Sequence, residues 1–198
     1  KLSAELGSHT FEATAAHELF HAISGQSRVG RGERYEPRSF TEPLRAGLGF
    51  IGRHGVMEHE EGEAFRFRWL NEGVTEYLTK ILHPSAAGEY SHEVHLVETL
   101  LEFGIVSEKK MLAAFFEEDA VDAQGHADER GPNPAVRAFF QESNKNAYPG
   151  FFMEIDRGYR EAAAKGHQSR YLEEVTHLIR RYGARGVRNA TKFLDALK

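Results

Sequence analysis

His17-Glu18-Leu19-Phe20-His21 is the stretch from which the rest of the chain can be read. Around it, from Phe11 to Ile23, the apolar residues Phe11, Ala15, Leu19, Ala22 and Ile23 recur at helical spacing. Ser8 or Thr10 is placed to cap the start, and Gly25 to stop the end. The spacing predicts a helix. Histidines at i and i+4 stand one turn apart on one face of it, so two imidazole nitrogens can converge on a single ion while Glu18 reaches the same cleft. Zinc binds neutral imidazole at about 2.0–2.1 Å, and a catalytic zinc takes three protein ligands and leaves a fourth position for water. A third ligand must come from elsewhere. It also has to answer an objection, because a chain with 11 His and 30 Asp+Glu produces such a pattern by composition alone.

Working outward, Leu70 to Leu82 returns to helical spacing through Val74, Leu78 and Ile81, and His83-Pro84 closes it. Glu72 and Glu76 lie on one face of this helix, opposite the apolar stripe. On a solvated edge two such carboxylates would repel by a few tenths of a kcal/mol (~0.3). Beside a dication, one can ligate and the other can accept a hydrogen bond from a ligating imidazole, orienting the ring and raising its basicity. Between the two helices, Leu48, Phe50 and Ile51, then Phe65, Phe67 and Trp69 alternating with Arg66 and Arg68, read as two strands around the polar stretch Glu58 to Gly62. Beyond Glu89 the patterns are helical throughout, over about 89–103, 107–120, 134–143, 150–164, 168–182 and 185–197, with breaks at Gly104, Gly125, Gly131-Pro132, Pro149-Gly150, Gly166 and Gly183. The expected fold class is α+β, predominantly helical, with a small β-hairpin or sheet between the two motif helices. Residues 1–105 would form a zinc-binding catalytic subdomain and 106–198 a helical subdomain packed on it as one compact unit.

Trp69-Leu70-Asn71-Glu72-Gly73-Val74-Thr75-Glu76-Tyr77, taken with the HExxH stretch, resembles the gluzincin metallopeptidases, which include thermolysin and the aminopeptidase N group. In that family HExxH is followed on a later helix by a Glu ligand in an Asn-Glu-Gly context, with an acidic residue four positions on. The resemblance spans residues 17 to 76 and implies a zincin-like fold. It implies one zinc ion held by His17, His21 and Glu72, with Glu18 as general base and Glu76, together with Asn71, as supporting residues. The interval of 51 residues from His21 to Glu72 exceeds that of compact members, and a hairpin from Leu48 to Trp69 would accommodate it and offer an edge strand to substrate. Family members also supply a Tyr or His to the developing oxyanion. Tyr90 is the first candidate here, with His92 and His126 behind it.

The remaining histidines, His9, His54, His59, His83, His167 and His177, lack ligand spacing and read as surface or satisfied side chains. His92 and His95 could hold a second metal only with Glu89 or Glu93. Phe115-Phe116, Phe139-Phe140 and Phe151-Phe152 read as core anchors. Arg28, Arg31, Arg34 and Arg38, in a Gly-rich stretch, read as a solvated loop, or as one that steers substrate.

The whole composition is compatible with this reading. The chain has 198 residues, 40% hydrophobic and 28% charged, with a net charge of −5, which excludes a disordered tail, a collagen-like fibre and a disulfide scaffold. The absence of Cys removes thiolate chemistry and Cys-ligated zinc. The acid balance argues against nucleic acid as a partner, and no apolar run approaches a membrane span or opens the chain as a signal segment. A soluble protein follows, and Lys1 in place of Met suggests a piece of a longer one. Two functions of different class are open. One is a zinc-dependent metallopeptidase acting on peptide or protein substrates, an endopeptidase because no element for gripping a free amino terminus is recognisable. The other is a non-catalytic helical interaction domain with a structural or vestigial zinc site. The first is favoured, because a structural site is ordinarily closed by a fourth protein ligand.

Overall fold

A computed structural model describes residues 2–24, 44–46, 48–51, 65–84, 88, 90–117 and 134–197, and among them the chain is built from eight helices. These are α1 (Leu2–Ile23), α2 (Arg68–Leu82), α3 (Ser91–Glu102), α4 (Glu108–Phe116), α5 (Pro134–Asn146), α6 (Phe151–Ala163), α7 (Gln168–Val187) and α8 (Ala190–Ala196). α2 packs on α1 and on α3, α3 continues onto α7, and α7 carries α6 and α8, while α4 and α5 pair beside them. At Gly183, where the sequence marks a break, φ is 62° and ψ 176°, and α7 kinks before its last turn. That left-handed φ favours glycine.

This architecture corrects the expected α+β zincin-like fold. The described residues form a helical protein with no β layer. Among the described residues, strand pairing is confined to β1 (Leu44–Ala46), β2 (Gly49–Ile51) and β3 (Phe65–Arg66), paired antiparallel in that order and only two or three residues each. The rest of the expected hairpin, with the Arg28 to Arg38 loop, Glu89 and His126, lies outside the described residues. The alternation that suggested a strand has a different origin. Phe67 takes the left-handed conformation (φ 58°, ψ 27°) that begins α2, and Trp69 lies in the first turn of that helix. Both rings are buried. A period of two therefore arose from two aromatic side chains entering the core across a helix start.

The core is aromatic. Trp69 meets Phe152 at 5.8 Å between centroids, and Phe152 stacks on Phe139 at 5.4 Å with 13° between planes. Phe115, Phe139, Phe151, Phe152 and Phe193 are fully buried, and Phe116 and Phe140 are half-buried against the same cluster. Each such ring contributes large apolar burial, and well-oriented pairs add about 0.5–1.5 kcal/mol more. Leu70, Val74 and Leu78 bury the inner stripe of α2. Ile81, expected on that stripe, is exposed.

One buried polar contact fixes where α2 begins. The Phe67 N–H donates to Asp156 Oδ1 at 2.6 Å, across 89 residues of sequence, and Asp156 Oδ2 accepts from Arg160 Nε at 3.1 Å. Asp156 is itself almost completely buried. A carboxylate here answers one of the open N–H groups of a helix start and helps to hold a non-glycine residue at positive φ. Asp156→Ala should lower stability by about 2–3 kcal/mol, read as an earlier midpoint in urea, and Asp156→Asn, which keeps an acceptor, should lose less.

Candidate metal centre

α1 contributes two imidazoles one turn apart and α2 two carboxylates one turn apart, and the packing of these helices brings the four together. The face that α1 buries carries Ala13 and His17, with Phe20 half-buried and Ser24 buried just past the helix end, while Phe11, Leu19 and Ile23 are 74%, 58% and 52% exposed. The apolar stripe that predicted the helix is therefore not the face it packs with. Glu76 is buried and Glu72 half-buried, so neither occupies the solvated edge that a bland reading of the sequence would give them.

Three atoms converge. His21 Nε2 lies 3.1 Å from His17 Nε2 and 3.0 Å from Glu72 Oε2, and His17 Nε2 lies 3.4 Å from the same oxygen. Ligands about 2.0–2.1 Å from a tetrahedral ion stand about 3.3 Å apart, so all three edges of this triangle suit one metal ion. Among the described residues it is the one group of three or more His, Asp or Glu ligand atoms close enough for that. Glu93 is buried on α3, but His92 and His95 gather no such set with it.

The other ring nitrogens are held from behind. His17 Nδ1 is 3.1 Å from Glu76 Oε2, to which it can donate, leaving its Nε2 lone pair directed at the shared centre. His21 Nδ1 is 3.4 Å from Thr75 Oγ1, whose own proton goes to the Asn71 carbonyl at 2.9 Å, so this hydroxyl can accept the Nδ1 proton. Asn71 Nδ2 stands 3.4 Å from the same nitrogen, while Asn71 Oδ1 accepts from the Leu48 N–H at 3.1 Å. Tyr90 stacks on His17 at 5.4 Å between centroids with 11° between planes. Glu18 follows His17 on α1 with an exposed side chain.

The electrostatics call for positive charge. Burial alone would raise the Glu72 carboxyl, but hydrogen bonds from His17 and His21 outweigh it and hold the group at about 2. Burial alone would lower His17, yet hydrogen bonding and charge from Glu72 and Glu76 push it above its ordinary value. Two carboxylates facing two imidazoles are thus stabilised by a proton on His17, and a dication would serve the same function without it.

Two glycines permit the geometry by their lack of a side chain. A Cβ on Gly73 would lie 2.8 Å from the Glu93 carbonyl oxygen and 2.9 Å from Val97 Cγ2, so α2 and α3 approach too closely for any other residue there. A Cβ on Gly88 would sit 1.6 Å from Glu76 Oε1. Sequence reasoning missed Gly88 and Asp156 altogether, since both act across long stretches of chain with no local pattern. It missed Thr75 although that residue lies inside the quoted motif.

Set against family models, curated proteins and solved structures, the chain matches none of them. No described helix is long and apolar enough to cross a membrane.

Gly88→Ala should displace the Glu76 carboxylate and release His17 Nδ1. Zinc affinity, measured by competition with a chromophoric chelator, should fall about 10–100-fold in Gly88→Ala and in Glu76→Gln alike. Unchanged affinity in both would show that Glu76 does not orient the ring.

Proposed function

We propose that the chain is a zinc-dependent metallopeptidase that hydrolyses peptide bonds in protein or peptide substrates, with Glu18 as general base. The observation that carries this reading is the triangle of His17 Nε2, His21 Nε2 and Glu72 Oε2 with edges of 3.0–3.4 Å. The resemblance of His17 to His21 and of Asn71 to Glu76 to the gluzincin motifs supports it, as does the set of three ligands in place of four.

A bound zinc ion would polarise the scissile carbonyl and bring the pKa of an attacking water towards about 7. The protein's residues do the rest. Glu18, on the ligand helix with its carboxylate exposed, takes the proton as the water attacks and delivers it to the departing amine. Glu76 keeps the His17 ring in one tautomer, and Thr75 can do the same for His21. Proton transfer of this kind contributes about 10²–10⁴-fold to rate.

Wild-type protein should carry one zinc per chain by elemental analysis and cleave casein or a peptide library. Glu18→Gln should retain the zinc and lose cleavage by about 10²–10⁴-fold, and Glu72→Ala should lose both. Cleavage unchanged in Glu18→Gln, or wild type without zinc, contradicts the reading.

A further inference from the structure

α3 and α7 carry a second set of imidazoles, none of which belongs to the triangle of His17, His21 and Glu72. His92 and His95 of α3 line one cleft together with Thr176, His177 and Arg180 of α7. Its volume is about 670 Å³, within the roughly 300–1,000 Å³ of small-molecule sites. The two helices pack side by side and run in the same direction, because at the far end of their contact a Cβ on Gly183 would lie 4.0 Å from the Phe103 ring. Eight residues back from these two, His95 stands level with Val175, and so at the height of Thr176 and His177.

One buried group in the cleft is left open. Thr176 is 7% exposed, and its Oγ1 meets no hydrogen-bond partner. A helical threonine can donate to the carbonyl four residues back, as Thr75 does to Asn71 and Thr79 to Thr75 on α2. Thr176 does not, and a buried hydroxyl without a partner is unfavourable until a ligand oxygen meets it. Donors around it are free as well. Arg170 is held by Glu174 at 3.2 Å, whereas Arg180, His95 and His177 have no hydrogen bond or ion pair and are exposed. With Glu174 neutralised by Arg170, and Arg180 matching the charge of Glu173, the three imidazoles and the hydroxyl leave the cleft rich in donors.

The ligand atoms here do not converge as those of a metal must, since His17, His21 and Glu72 are the one such group among the described residues. Donors to a phosphate need no such convergence. Each can meet a different oxygen at about 2.8 Å, and a guanidinium fork suits that geometry. The cleft is far larger than a phosphate ion, and Leu178 and Ala196 add apolar lining to it.

We propose that the cleft between α3 and α7 binds a small organic phosphate, a phosphate monoester whose oxygens accept hydrogen bonds from Arg180, His95, His177 and Thr176 while its carbon skeleton fills the remaining space. This site goes beyond the peptidase reading and does not depend on it.

Calorimetric titration of the zinc-loaded protein with glucose 6-phosphate, inorganic phosphate and glucose tests it. The ester should bind once per chain, inorganic phosphate more weakly, and glucose not at all. Arg180→Ala should weaken ester binding by about 10–100-fold, and a His95→Ala, His177→Ala protein by at least as much. All three side chains are exposed, so these variants should unfold at the wild-type urea midpoint. Thr176→Val should lose about 2–10-fold in ester affinity, with a ligand-free urea midpoint equal to or above that of wild type, because its hydroxyl has no partner to lose. Ester binding that survives Arg180→Ala and the α3–α7 histidine variant but disappears in His17→Ala, His21→Ala would place the ligand on the zinc and overturn the proposal. So would inorganic phosphate binding more tightly than the ester, a second zinc equivalent lost with His95 and His177, or no binding of the ester at millimolar concentration.

Discussion

The packing of α1 against α2 is the constraint on which the rest of the structure depends. It places two imidazoles opposite two carboxylates at hydrogen-bond distance, and hydrogen bonds from those imidazoles hold the Glu72 carboxyl at about 2 against the opposing effect of burial. Buried carboxylates are costly without compensating charge. His17 and His21 compensate this pair across the helix contact, so the same contacts that join the helices also define a candidate ion site.

Much of the remaining chain serves to hold α2 in that arrangement. Trp69 anchors its first turn in the aromatic cluster around Phe152, Asp156 accepts from the Phe67 N–H, and Gly73 lets α3 come into backbone contact on the far side. Glu72 and Glu76 therefore project from a helix fixed at its start and along its inner face. Ligand geometry depends on such rigid support, because an error of about 1 Å in a supporting element is enough to weaken a site.

What could be read from the sequence was what lies within one helical turn. The pairs His17 and His21, and Glu72 and Glu76, each announce a shared face through spacing of four, and the structure places the two faces opposite each other. The α1 apolar stripe misled about orientation, because Ala13 and His17 are buried where Phe11 and Leu19 were expected. The Phe65, Phe67, Trp69 alternation misled about class, because a left-handed residue at a helix start can aim side chains two apart into one core. Asp156 and Gly88 were illegible for a simpler reason. Their roles are set by where the chain returns after long excursions, and no local periodicity records that.

X-ray absorption at the zinc edge on the metal-loaded protein tests the central claim most directly. One zinc per chain is expected in a four-coordinate shell of nitrogen and oxygen at about 2.0–2.1 Å, with the outer-shell scattering of two imidazoles, and loss of that scattering in a His17→Ala, His21→Ala protein. A six-coordinate shell of oxygen alone, or the same spectrum with both histidines removed, would contradict it.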